Sequence, residues 1–176
     1  MKARNQLKKI WTGVCVAVMC FSLFGCGNSA LKKNIQEVKA LPYGTMVLDY
    51  FEQVVGTETA RGYDEIVLLI SDPGFVEIDV YHKPDGDNAV EKCTRYRAED
   101  KLIDEVYALV DKYEMSKWDK MQSNPIDGLS LVIKFRENGE MMRVNSGNMT
   151  KKYGEQPFSE VYALLRKAAG NADVMQ

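Results

Sequence analysis

The chain has 176 residues, of which 27% are charged, 45% hydrophobic and 10% aromatic, with a formal net charge of −2. Lys2, Arg4, Lys8 and Lys9 lie in the first 25 positions without any acidic residue, so a chain starting at position 26 has 151 residues and a net charge of −6. That balance speaks against nucleic acid as a partner, since its binders concentrate positive charge to release counterions from phosphate, while 151 residues suit one domain with a real core.

The basic start runs into an apolar stretch at 10–24, diluted by Thr12, Gly13 and Ser22. A membrane-spanning helix needs about 20 apolar residues, so the stretch reads as the middle of a three-part signal peptide. It ends in Leu23-Phe24-Gly25-Cys26, which resembles the lipobox of bacterial lipoproteins. The resemblance implies a signal at 1–25 cleaved before Cys26, acyl chains such as palmitate on its sulfur, and a location on the extracytoplasmic face of the cell membrane. Two chains at about 0.8 kcal/mol per buried methylene make such an anchor effectively permanent. The competing reading is an ordinary secretory signal in which Cys26 is incidental. Cys15 and Cys20 leave with the signal, so Cys93 is the one thiol left, unable to form a disulfide framework or zinc site and expected as a small buried hydrophobe.

Residues 26–44 are polar and lysine-rich and read as a lipidated tether, helical at most transiently; the domain follows at 45–170, with a short tail at 171–176. Within 46–55, Val47, Tyr50, Phe51, Val54 and Val55 fall at helical spacing, although they are types that favour strands; the spacing points to a helix. Residues 65–70 form a continuous apolar run suited to a strand covered on both faces. Asp72-Pro73-Gly74 makes a turn, and 75–83 alternates with Val76, Ile78 and Val80 on one face. The turn Pro84-Asp85-Gly86-Asp87-Asn88 leads into a more polar, edge-like strand at 89–97.

Asp100 can cap a helix whose stripe is Leu102, Val106, Leu109, Val110 and Tyr113. Leu129, Leu131, Ile133 and Phe135 then alternate with polar residues, and Asn138-Gly139 signals a tight hairpin to a strand at 140–145. Pro157 opens a last helix presenting Phe158, Val161, Leu165 and Ala168, with Gly170 at its stop. Glu105-Val106-Tyr107-Ala108-Leu109 recurs as Glu160-Val161-Tyr162-Ala163-Leu164, by duplication or by chance, each copy after a hairpin. The fold class is therefore α+β: one domain, a mostly antiparallel sheet with helices on one face, built from two hairpin-plus-helix units.

Trp118-Asp119, the run Asp127-Gly128-Leu129-Ser130-Leu131-Val132-Ile133-Lys134-Phe135, Asn138-Gly139, Ser146-Gly147-Asn148 and the helix opening at Pro157-Phe158 give residues 63–169 a resemblance to uncharacterised extracytoplasmic lipoproteins of Gram-positive bacteria. The resemblance implies a lipoprotein domain without an assigned activity.

Catalytic constellations are scarce. If 75–83 and 89–97 pair around the turn, Cys93 lies opposite Glu77 or Ile78, about 13 Å along the strand from His82, too far for a nucleophile–base pair. Asp85, Asp87, Asn88 and Glu91 match no complete calcium loop, so no metal and no cofactor are expected. The pairs Asp64/Glu65 and Glu77/Asp79 read as solvated faces. The candidate binding surface is Tyr81, Trp118 and Tyr153, together with Lys134, Arg136 and Arg143 on the sheet face opposite the helices; for Trp118 the competing reading is a plug at the end of the core. The functional expectation is a non-enzymatic envelope domain binding another protein or a wall component. Its alternative is an extracytoplasmic enzyme whose site is not visible in linear order.

Overall fold

The computed structural model describes residues 29–55, 62–86, 88–118, 128–145, 153–171 and 173–174. The signal, Cys26, Asp87 and most of the loop at 146–156 lie outside the described residues. The chain divides into a unit Met1–Lys33 and a second unit Asn34–Gln176, which holds the domain.

Seven strands form one sheet: β1 (Met46–Val55), β2 (Tyr63–Ile70), β3 (Phe75–Lys83), β4 (Lys92–Glu99), β5 (Gly128–Glu137), β6 (Glu140–Asn145) and β7 (Asp173–Val174). Their order is β6-β5-β1-β2-β3-β4-β7, with every neighbouring pair antiparallel. Among the described residues the helices are α1 (Ser29–Lys39), α2 (Lys101–Lys112) and α3 (Gln156–Asn171), with a 3-10 turn at Met115–Lys117. No helix among the described residues is long and apolar enough to cross a membrane.

Residues 46–55 are the main correction: they form β1, paired with β2 on one side and β5 on the other. The helical spacing misleads because Val47, Leu48, Asp49 and Tyr50 are all buried. A strand buried on both faces carries no polar face to reveal its period of two, and a bulge between Met46 and Leu48 blurs it further.

Leu48, Tyr50, Ile66, Leu68, Val76, Ile78, Ile133 and Phe135 lie on one sheet face and bury against the helix layer, where α2 contributes Ile103, Val106 and Tyr107 and α3 contributes Phe158, Val161 and Leu165. Each such side chain adds about 1.5–3 kcal/mol on burial. The inner face of α3 ends on Ala169 rather than Ala168. The two hairpins, β3–β4 and β5–β6, lie on opposite sides of the central β1–β2 pair, while α2 of the first unit reaches across to β5. The echoed valines, Val106 and Val161, are both fully buried, whereas the tyrosines diverge: Tyr107 donates to the Arg136 carbonyl and Tyr162 stacks on Tyr50 at 5.2 Å.

Two ends differ from the sequence reading. Part of the tether is a helix whose Asn34 and Val38 are buried, with Lys39 paired to Asp104 of α2 at 2.6 Å. In the C-terminal tail, Asp173 and Val174 pair with Arg97 and Tyr96 of β4. Both segments are polar in composition and gain order only from the elements beside them.

Candidate functional site

On the face opposite the helices, the register places Arg143, Lys134, Asp49, Val67, Asp79 and Arg95 in one row across β6, β5, β1, β2, β3 and β4. Strands lie about 4.8 Å apart, so Asp49 and Asp79 flank Val67 at a separation of about 10 Å. Both aspartates are buried, as is Glu77 beside Asp79. A charge in the middle of a sheet is tolerated only when paired. Lys134 Nζ donates to Asp49 Oδ2 at 2.5 Å, and Arg95 Nε lies 3.3 Å from Asp79 Oδ1 and 3.7 Å from Glu77 Oε1. Tyr81 OH donates to Asp79 Oδ2 at 3.2 Å. Burial first, and the Asp79 charge second, hold the Tyr81 phenol well above its ordinary range.

One row along, Phe51, Glu65, Tyr81 and Cys93 face the same way, with Phe51 stacked on Tyr63 at 5.5 Å between ring centres. Burial, followed by the charge of Asp49 and a hydrogen bond with it, pushes the Glu65 carboxyl up to about 7. Burial and Asp79 push Glu77 up as well. The carboxylates read from sequence as solvated thus include three, Glu65, Glu77 and Asp79, that the sheet partly or wholly removes from water.

The six candidate residues separate into two groups. Tyr81, Lys134 and Arg143 share this face, Lys134 and Arg143 directly opposite one another. Arg136 shares it too, but its Nε donates to the Met46 carbonyl at 2.7 Å and one terminal nitrogen reaches the Gly139 carbonyl at 3.4 Å, so it ties strand ends together. Trp118 and Tyr153 belong elsewhere. Trp118 is 6% exposed, donates from Nε1 to the Tyr113 carbonyl at 3.1 Å and lies 6.0 Å from the Phe158 ring, which makes it the plug of the core. Tyr153 sets its ring edge-on to Tyr113 at 5.1 Å.

Cys93 is exposed rather than buried, and lies opposite Tyr81 rather than Glu77 or Ile78, because the loop at 84–91 is longer than a tight turn. His82 pairs with Lys92, so alternation sends it to the other face from Cys93; its Nδ1 is 2.7 Å from Asp64 Oδ1. The expected 13 Å along the strand does not hold: Cys93 is the neighbour of His82's partner Lys92, and only the opposite faces keep the two side chains apart. Asp85 accepts from the Gly62 amide at 2.6 Å and Glu91 accepts from Tyr63 OH, so these two acids fasten the loop to the start of β2. Among the described residues, no group of three or more His, Cys, Asp or Glu is placed to hold a metal ion.

Two grooves open elsewhere. One, of about 550 Å³, lies between the start of α2, the end of α3 and β4, lined by Phe75, Arg97, Lys101, Glu105 and Lys167 among others. The second, of about 440 Å³, runs past Tyr43, Ile70, Phe75 and Asp100. Neither includes Asp49, Glu65 or Lys134.

No protein-family model matches the chain, and no curated protein matches it in sequence.

Asp49 is the residue that sequence reasoning missed, and Glu65 the one it read as solvated. Asp49 sits in the segment read as a helix, and Glu65 meets it only through the β1–β2 register. The available signal was an acid inside a run of strand-forming apolar residues, Met46-Val47-Leu48-Asp49-Tyr50-Phe51.

Proposed function

We propose that this chain is an extracytoplasmic lipoprotein held to the membrane by lipid on Cys26, and that its α+β domain binds another envelope protein or a wall component through the sheet face opposite the helices, without catalysing a reaction. The observation that supports this reading is the row of ion pairs, Lys134–Asp49 and Arg95–Asp79, each joining a buried aspartate to an exposed cation, set among Phe51, Tyr63 and Tyr81 on that face. Fixed charges beside aromatic rings give a surface orientation and specificity toward a partner. Surface crosslinking of the tagged native protein, followed by mass spectrometry, should recover a reproducible partner that is lost with Arg143→Glu and Tyr81→Ala together. Absence of any such partner, with turnover of a small substrate, would defeat the reading.

For the anchor, Cys26→Ser is expected to move the protein out of the membrane fraction, and an intact mass without acyl chains would count against it. The enzymatic alternative draws on one observation, the Glu65 carboxyl poised near 7 beside Asp49, a setting that suits general acid chemistry. Loss of a measured turnover in Glu65→Gln would favour it.

A further inference from the structure

We propose that Asp49 and Glu65 form an acid–carboxylate pair holding a single proton, a pH-sensitive element built into the sheet face opposite the helices. The geometry begins with register. Asp49 stands opposite Val67 and Glu65 opposite Phe51, which makes the two acids diagonal neighbours on one face, within reach of each other. The Asp49 side chain is 3% exposed and its two oxygens have different surroundings. Oδ2 receives Lys134 Nζ, while no hydrogen-bond donor among the described residues reaches the buried Oδ1. A buried oxygen of this kind costs about 1–3 kcal/mol unless something donates to it.

As its diagonal neighbour, the Glu65 carboxyl is near enough for the Asp49 charge to push it up, a close contact of two acids. Two ionised carboxylates have no proton to put between them, so a contact of this kind needs a proton or a cation. Lys134 supplies one positive charge, already committed to Oδ2. The remaining groups facing Glu65 do not supply another: β3 presents Tyr81 and Asp79, β4 presents Cys93 and an Arg95 engaged by Asp79 and Glu77, and the loop before β4 brings Glu91, a further negative charge. From its own strand comes Tyr63, bonded to Glu91, and opposite Tyr63 lies Lys83, one strand-pair further along the face. The helices are on the other side of the sheet. A proton on Glu65, donated to Asp49 Oδ1, satisfies the buried oxygen and removes the like-charge contact at once. The upward displacement of Glu65 to about 7 agrees with this arrangement. Loss of this proton adds one negative charge to the face close to neutral pH.

The test is a carboxyl ¹³C NMR titration of the purified native protein in detergent, with labelled Asp and Glu. The wild-type Glu65 signal is expected to titrate near 7, with Asp49 responding in the same step. Asp49→Asn is expected to bring the Glu65 midpoint down toward its ordinary 4.5. Lys134→Met supplies a second, independent arm, in which removal of its positive charge is expected to raise the midpoint. A wild-type midpoint near 4.5, or a Glu65 signal indifferent to the folded variants, would overturn the proposal. Added calcium should leave the midpoint unchanged; a fall on its addition would show that a cation, not a proton, joins the two acids.

Discussion

Lys134 and Asp49 meet across β5 and β1 with Nζ 2.5 Å from Oδ2, yet the lysine side chain is 40% exposed and the aspartate side chain 3%. The pair is therefore unequal in what its loss leaves behind. Lys134→Met strands a buried carboxylate and is expected to cost about 3 kcal/mol. Asp49→Asn frees an ammonium that can turn toward water and should cost closer to about 1 kcal/mol. Urea unfolding of the two variants checks the order, and equal losses would contradict it.

Asn34 of α1 accepts from the Asn138 amide at 3.0 Å through Oδ1 and donates to the Arg136 carbonyl at 3.4 Å, so one side chain ties α1 to the end of β5 and the first residue of the turn. Asn138 has φ of 50° and Gly139 φ of 82°, the backbone that an Asn-Gly hairpin turn requires. Asn34→Ala is expected to destabilise the domain by about 1–2 kcal/mol. Amide exchange should quicken at Asn138 well before it does in the central strands.

Gly62 leads into β2 against the turn that follows β3. A Cβ there would stand 2.2 Å from the Lys83 carbonyl oxygen, 2.8 Å from the Pro84 carbonyl carbon and 2.9 Å from the Asp85 nitrogen, all backbone atoms that cannot rotate aside. Gly62→Ala should force the two segments apart, weaken the Asp85 bond to the residue 62 amide and cost about 1–3 kcal/mol. A wild-type melting temperature in this variant would contradict the close approach.

Glu65 sets a pH dependence whose sign follows from its displacement. Its folded value, about 7, exceeds the ordinary 4.5, so between those values the folded state binds more protons than the unfolded one. Its contribution to stability is then fully present below about 4.5 and is lost as pH rises through about 7. Glu65→Gln removes the titration, so the stability of the variant relative to wild type should improve steadily from pH 5 to pH 8. Denaturant midpoints of both proteins across that range would show it, and a constant difference would refute it.

Much of the domain was legible in linear order because its elements announce themselves locally. The alternation at 75–83, the Asn138-Gly139 turn and the stripes of α2 and α3 each encode a period or a backbone conformation within a few residues. The reading failed where burial erases the local signal, as in β1, and where the loop at 84–91 lengthened the hairpin and moved Cys93 from opposite Glu77 or Ile78 to opposite Tyr81. Trp118 could equally be core or surface by composition, and the Tyr113 carbonyl and Phe158 ring decided it.

The sequence alone determined the α+β class, the antiparallel hairpins, the helix faces and the expectation of a lipidated N-terminus, since these rest on short-range periodicity, turn chemistry and residue order. Only the tertiary structure decided that β1 and β2 lie at the centre of the sheet, and that Asp49 and Glu65 share one face with Lys134 from a strand about 85 residues away in sequence. Register sets such neighbourhoods, and register is a property of paired strands. No single stretch of chain carries it.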